Sequence, residues 1–315
     1  MKNKKGLEFS FGWLFALVVG AAILFLAIYA AVKFISSEQT VQETEAAKQL
    51  ETILTPIETG GEEAKAVAPI VFPAVTRVYN NCSTDGNFGE QSIRVSTLFG
   101  NKWQEQGLPI TSYDKYIFSP DLMQAKELYV FSKPFEMPFK VANLLFIWSD
   151  KYCFVNPTPE IENEITDLNL KNINITDNPN LCPKGSNKVC NAGDYAICNI
   201  TVDSGAHSVT KNGRTVYYEG SLIYGAIFSE PDVYECQVKR LMKRTSELAL
   251  LYNAKSGLIA AESEGCSSNL QGDLGVLAMQ VAGLTSTSEL VAINFLAEGL
   301  SEKEGQMKNC KLWGN

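Results

Sequence analysis

The chain has 315 residues, 45% of them hydrophobic, and a formal net charge of −8. That length can bury one large core or two smaller ones, and the composition is that of a folded protein. The acidic balance excludes a general nucleic-acid binder, because neutralising phosphates needs a basic surface, so no nucleic-acid partner is expected.

Lys2, Lys4 and Lys5 precede a run from Phe9 to Val32 that carries no formal charge. The run exceeds the about 20 residues that a helix needs to cross a bilayer. Lysines before it and Glu38, Glu43 and Glu45 after it place residues 1–8 in the cytoplasm as a leader, by the positive-inside rule. Trp13 and Tyr29 stand near the two lipid interfaces, and Lys33 can snorkel outward. A cleaved secretory signal has a shorter apolar core and small residues at its cut site, a pattern that Tyr29 breaks. The expectation is a single-pass plasma-membrane protein with its transmembrane helix at 9–35, the lipid bilayer as its first partner, and everything after the span extracellular.

Residues 36–58 turn polar yet keep Val41, Ala47, Leu50, Leu54 and Ile57 at helical steps. One helix of about 45 residues, apolar and then amphipathic, is predicted. Pro56 and Gly60-Gly61 are expected to end it, and Thr59 to Ala66 to form a flexible hinge that completes the segment 36–66.

From 67 to 230, short apolar runs broken by Pro, Gly, Asn and Asp predict a β-rich part. Its clearest strands are Glu127 to Phe131, Val141 to Ser149 and Lys151 to Val155, the first two separated by Pro134 and Pro138 and the last two by a tight turn at Ser149-Asp150. Asn212-Gly213, between HSVTK and RTVYY, predicts a hairpin, because both central residues of a type I′ turn need positive φ. Residues 231–315 read as helical. Ser229 is the expected cap of a helix running to about Ile259, with Pro231 in its first turn and Val238, Leu241, Met242, Leu248 and Leu251 on its buried face. Gly272 to Gly283 forms a second helix, and the capping box Ser286-x-x-Glu289 opens a third through Leu300. The fold class is therefore α+β, a transmembrane helix extended by an amphipathic one and followed by an ectodomain with a β-rich and a C-terminal helical part.

All eight cysteines, Cys82, Cys153, Cys182, Cys190, Cys198, Cys236, Cys266 and Cys310, follow the apolar run. An even count confined to the outer side fits disulfides formed in an oxidising compartment. Pairing is not legible from spacing; Cys266 with Cys310, joining the ends of the last helical region, is the preferred bridge. The absence of any C-x-x-C pair removes the zinc-ribbon and thioredoxin-like readings. Asn81, Asn174 and Asn199 open N-x-[ST] tripeptides, candidate glycosylation sites on the same outer side.

Catalytic signatures are sparse. His207 is the only histidine, which excludes a metal site built on several imidazoles. Asp203-Ser204-Gly205-Ala206-His207 places the three triad residue types together but lacks the G-x-S-x-G elbow, so His207 is read as a loop or strand-end histidine. Glu62-Glu63 and Glu160, Glu162 and Glu164 are read as surface charge. Phosphate loops and dinucleotide fingerprints are absent, and no cofactor, metal or catalytic residue is assigned. Lys239, Arg240, Lys243 and Arg244 form the one concentrated basic feature. On a helix these positions share a face opposite Leu241 and Leu248, a candidate contact for an anionic surface partner set against the plainer reading of a solvated face. Within the apolar run, Gly12, Ala16 and Gly20 recur every fourth residue, a small-residue face that lets membrane helices approach closely.

Lys4-Lys5-Gly6 directly before Leu7-Glu8-Phe9 and the apolar run resembles the class III signal of archaeal type IV pilin-like proteins. The resemblance covers about the first 57 residues. It implies cleavage after Gly6, Leu7 as the mature N-terminus, and a retained long helix that packs with other subunits in a filament core. In that family the acidic residue stands at the fifth mature position; here Phe11 holds that place, and Glu8 is second. The large head is similar to that of a minor or tip subunit. The expected function is that of a surface structural or adhesive protein, with a pilin-like subunit as its specific form, that works through assembly or contact. A monomeric tethered ectodomain that binds a ligand or assists envelope assembly is the alternative, and a membrane-anchored hydrolase comes third.

Overall fold

The computed structural model describes residues 11–59, 64–191, 196–262, 270–307 and 311–313. The leader residues 1–8, including Gly6 and Leu7, and both Cys266 and Cys310 lie outside the described residues.

The chain opens with α1 (Phe11–Thr59) and continues into β1 (Lys65–Ala66), β2 (Ile70–Ser83), β3 (Glu90–Phe99), β4 (Lys102–Trp103), β5 (Ile110–Ser112), β6 (Tyr116–Phe118), β7 (Leu122–Glu136) and β8 (Lys140–Trp148). A second group follows: β9 (Tyr152–Val155), α2 (Pro159–Asp167), β10 (Ile173–Thr176), β11 (Asn187–Asn191), β12 (Ile200–Asp203), β13 (Ser208–Lys211) and β14 (Arg214–Tyr217). Helices α3 (Leu222–Phe228), α4 (Pro231–Glu262), α5 (Gln271–Ala282) and α6 (Leu290–Gln306) close the chain. The protein is thus α+β, with a β-rich middle and C-terminal helices.

The strands form two sheets. In the larger the order is β4-β3-β2-β7-β8-β6, with β1 added to β7 and β5 to β3; in the smaller it is β10-β9-β11-β12-β13-β14. Strand β8 shows why the larger sheet needs cover on both sides. From Val141 to Trp148 every residue is buried, with Leu145 and Ile147 on one face and Leu144, Phe146 and Trp148 on the other. A strand buried on both faces reads as a continuous apolar run, as VANLLFIW does.

One cover is the second half of α1. Ala47, Leu50 and Leu54 are at most 1% exposed and pack on Val78, Val95, Val130, Leu145 and Ile147. The predicted stripe is real at these three positions; the side chains of Val41 and Ile57 lie outside the described ones. Pro56 does not stop the helix, which runs to Thr59, because proline in a last turn removes only one internal hydrogen bond. The expected hinge is also shorter than 59–66, since Lys65 and Ala66 already pair with Ser132 and Phe131. The opposite cover is α3 and α4, which bring Tyr224, Phe228, Tyr234 and Val238 onto Phe118, Phe131 and Phe146. α3 lies so close that a Cβ on Gly225 would stand 2.5 Å from the Phe118 ring. Only glycine allows that approach.

Several local expectations are corrected. Pro134 lies inside β7, opposite Asn143; the pairing of β7 with β1 has ended by Ser132, so the missing N–H faces no second ladder. The turn at Ser149-Asp150 joins strands of different sheets, handing the chain from β8 to β9. Residues 67–230 also contain two helices. α2 carries Pro159 in its first turn, Glu160 and Glu162 near its start, and Ile161 and Ile165 buried one turn apart, the normal signature of a short amphipathic helix. α3 is buried along its whole length and so lacks the periodicity that would mark it as helical. Ser229 closes α3, its N–H bonding Gly225 O at 3.0 Å, and does not cap α4. On α4, Val238, Leu241 and Met242 are fully buried but Leu251 is 63% exposed, because the buried stripe of a long helix drifts at 3.6 residues per turn.

The Asn212-Gly213 hairpin and the Ser286–Glu289 capping box form as predicted: φ is 53° and 74° at the turn, and both reciprocal bonds of the box are present. Disulfides staple β2 to α4 (Cys82–Cys236), β9 to the segment after β10 (Cys153–Cys182), and β11 to the segment just before β12 (Cys190–Cys198).

Truncating Leu50, 1% exposed, tests the first cover. Leu50→Ala is expected to destabilise the head by about 2–5 kcal/mol in urea unfolding of the full chain in detergent. Leu24→Ala, at a site 61% exposed in the isolated chain, leaves that midpoint unchanged.

Candidate functional site

Residues from five segments converge on a pocket of about 320 Å³. Lys133 comes from β7, Glu160 and Glu164 from α2, Ser204 and His207 from the β12–β13 turn, Tyr218 from the end of β14 and Tyr224 from α3. His207 adopts φ 49°, and its ring lies parallel to that of Tyr218 with centroids 5.6 Å apart. Its Nδ1 sits 3.0 Å from Oε1 of Glu219, whose other oxygen accepts a bond from Asn294 Nδ2 at 3.2 Å. The Glu219 side chain is only 7% exposed. Burial raises its pKa above the ordinary carboxylate value, although His207 pulls in the opposite direction.

On another wall, Lys133 Nζ lies 2.5 Å from Glu164 Oε1, and the Tyr224 hydroxyl donates to Glu164 Oε2 at 2.6 Å. Burial and the Glu164 carboxylate keep the Tyr224 phenol protonated. Glu164 is therefore part of a partly buried ion pair, not plain surface charge. Chemically, the pocket sets the His207 imidazole, backed by the buried Glu219 carboxylate, against a fixed ammonium–carboxylate–phenol set.

The sequence neighbours of His207 serve other tasks. Asp203 Oδ1 accepts bonds from the N–H groups of Gly205 and Ala206 at 3.0 and 2.9 Å, shaping the turn, and Ser204 Oγ donates to Asn191 Oδ1 at 2.7 Å. The partner of His207 comes from across the hairpin. Tyr218 N bonds His207 O at 2.9 Å, which brings the next residue, Glu219, beside the imidazole. The Asn-Gly turn and its register were the signal for this pair, because in a hairpin the turn sets which residues face each other.

The basic cluster does not form a common outer face. Arg240 is fully buried. Its Nη1 donates to Lys115 O at 2.9 Å and Gln237 Oε1 at 2.7 Å, its Nη2 to Tyr113 O at 3.0 Å and Ser112 O at 3.4 Å, and its Nε to Phe88 O at 3.3 Å. A planar guanidinium has five N–H donors, and these carbonyls use them inside the protein. Lys243 Nζ is likewise committed, to Thr84 O at 2.6 Å and Gly86 O at 2.8 Å. Lys239 borders an open groove beside Cys82–Cys236, and Arg244 an aromatic hollow with Tyr113 and Tyr116. The four-residue contact patch is corrected to two separated, partly exposed cations.

Residues Phe11–Ala31 have a mean hydropathy of 2.6, and none of them is buried in the chain. Gly12, Ala16 and Gly20 are exposed along this stretch, with no atom within 4 Å of a Cβ built on either glycine. Asn81, Asn174 and Asn199 are all exposed, the first two on β2 and β10 and the third just before β12. No protein-family model, curated protein or solved structure matches the chain.

Two outcomes follow from these contacts. The fold favours protonated Glu219, so its contribution is fully present below the unfolded carboxylate value of 4.5 and is lost as pH rises through the higher folded value. Glu219→Gln, which keeps an acceptor for His207, is therefore expected to flatten the fall in Tm above pH 4.5; equal slopes for both proteins in circular-dichroism melts would contradict this. Arg240→Ala leaves several carbonyls without a donor and is expected to cost about 3 kcal/mol or more, whereas Lys239→Ala stays within about 0.5 kcal/mol in the same melts.

Proposed function

We propose that this is a single-pass plasma-membrane protein with a cytoplasmic N-terminus and an extracellular disulfide-stapled head, and that it acts through assembly or contact as a pilin-like structural or adhesive subunit. One observation carries this reading: α1 is continuous from an apolar half, Phe11–Ala31, that no described residue buries, to a half that is built into the head's core. Transferring the first half out of water is strongly favourable, and either lipid or other apolar helices can provide the surroundings. The exposed small-residue face at Gly12, Ala16 and Gly20 supports close approach by a second copy in the membrane. Three disulfides fit an oxidising exterior for the head. The pocket at His207 supports a second reading, a tethered ectodomain that binds a ligand as a monomer.

Mass spectrometry of the mature chain separates the two. Leu7 is the expected N-terminus of the pilin-like form; Met1 or Lys2 would remove that form and leave the tethered monomer. Flotation in a density gradient checks the anchor. The full chain is expected in the lipid fraction, and recovery in the soluble fraction would overturn both readings.

A further inference from the structure

A second cavity, of about 430 Å³, opens where the end of β8 and the start of β7 meet the smaller sheet. Amides and carboxylates dominate its walls. Asp121 and Asp150 are exposed at its rim, and Asn187 Nδ2 reaches Asp150 Oδ2 at 3.5 Å. On the hairpin side, Asn212 Nδ2 donates to Glu230 Oε2 at 3.0 Å, and Lys211 Nζ neutralises the same carboxylate from 3.2 Å. Asn199 is held in one orientation, since its Oδ1 accepts the Lys188 N–H at 2.9 Å, leaving Nδ2 as its free donor.

We infer that this inter-sheet cleft binds the hydroxyl groups of a neutral or amino sugar. Vicinal hydroxyls both donate and accept, and side-chain amides set among carboxylates offer matched acceptors and donors on a rigid frame. Asp121 and Asp150 leave the cleft with an excess of negative charge, because the Lys211 ammonium is already paired with Glu230. That excess disfavours uronic or sialic acids. The carboxylates are spread around the walls; among the described residues no group of three or more His, Cys, Asp or Glu could hold a metal ion. They therefore act as separate acceptors.

The sugar has two sources. It is either a glycan on a neighbouring surface, in which case the inference rests on the contact function proposed above, or a glycan carried by Asn199 itself. Asn199-Ile200-Thr201 is an acceptor tripeptide. Linkage would use Nδ2, the atom left free, and keep the Oδ1 bond to Lys188.

The test uses the full chain in detergent micelles, with unreduced mass and thermal melts confirming that each variant is folded. Peptide mass spectrometry reads Asn199. An array of neutral, amino and acidic oligosaccharides reads binding by the wild type and by Thr201→Ala, which keeps Asn199 but removes the acceptor motif. Neutral or amino sugars are expected to bind, with affinity falling about ten-fold or more in Asp150→Ala and Asn187→Ala and acidic sugars weaker by a similar factor. If Asn199 carries its own glycan, binding is expected to emerge only in Thr201→Ala. The proposal is overturned if folded Thr201→Ala binds no neutral or amino sugar, or if Asp150→Ala and Asn187→Ala bind as tightly as their parent. Flotation of the same protein after transfer from detergent into lipid vesicles keeps the readings apart: a chain that floats but binds no sugar sinks this inference alone, and one that binds sugar but does not float sinks the membrane anchor alone.

Discussion

A β-sheet with two apolar faces cannot stand in water with either face bare, and this constraint shapes the whole molecule. The larger sheet has such faces because β8 and β6 send large side chains both ways. Helices α3 and α4 cover one side. The other side is covered by the second half of α1, through Ala47, Leu50 and Leu54. The helix that carries the apolar N-terminal stretch is thus also part of the head's core. Cutting the chain after Ala31 would leave the cover in place, whereas cutting beyond Leu54 would expose Val78, Val95, Val130 and Leu145 to solvent. Whatever holds Phe11–Ala31 is therefore mechanically continuous with the head and not linked to it by a slack tether.

A second constraint is electrostatic and concerns α4. Burying a guanidinium costs several kcal/mol unless its donors are satisfied. Around Arg240 that satisfaction comes from backbone carbonyls at Phe88, Ser112, Tyr113 and Lys115. Two irregular segments, around 84–89 and 112–115, are gathered onto one helix, and Lys243 extends the same role to Thr84 and Gly86. A polar chain continues inward from Arg240 through Gln237 and Gln91 to Asn80 and Ser119. The Cys82–Cys236 bridge joins β2 to the same region of α4. Two of the four basic residues that look on a helical wheel like a docking stripe, Arg240 and Lys243, are thus internal cross-links.

The two concave sites sit around the smaller sheet, and their linings differ. The pocket at His207 brings titratable groups together in paired, partly buried contacts, while the inter-sheet cleft is lined by exposed amides and carboxylates. Both draw part of their lining from the β9–β14 region, which Cys153–Cys182 and Cys190–Cys198 cross-link. The larger sheet holds α1 and α4 and also lends β7 to both sites, Lys133 to the pocket and Leu122 and Gln124 to the cleft. The part of the molecule that packs on α1 is thus distinct from the smaller sheet, around which the concave sites gather.

Features governed by local rules were legible in the sequence. The long apolar helix follows from composition alone, the stripe at Ala47, Leu50 and Leu54 from 3.6-residue periodicity, the hairpin from Asn212-Gly213, and the start of the last helical segment from the Ser286–Glu289 capping box. The short helix α2 carries its own local signal in Pro159, Ile161 and Ile165, but two buried residues in nine are too few to stand out from the short apolar runs of the strands around it. Tertiary structure alone decided the rest. Which strands share a sheet, why Ser149-Asp150 joins two sheets, that Cys82 pairs with Cys236, and that Arg240 points inward while Leu251 points out all depend on contacts between segments tens to more than a hundred residues apart. Local sequence sets what each segment can form, but burial depends on what the rest of the chain places against it, and no periodicity in the segment itself carries that information.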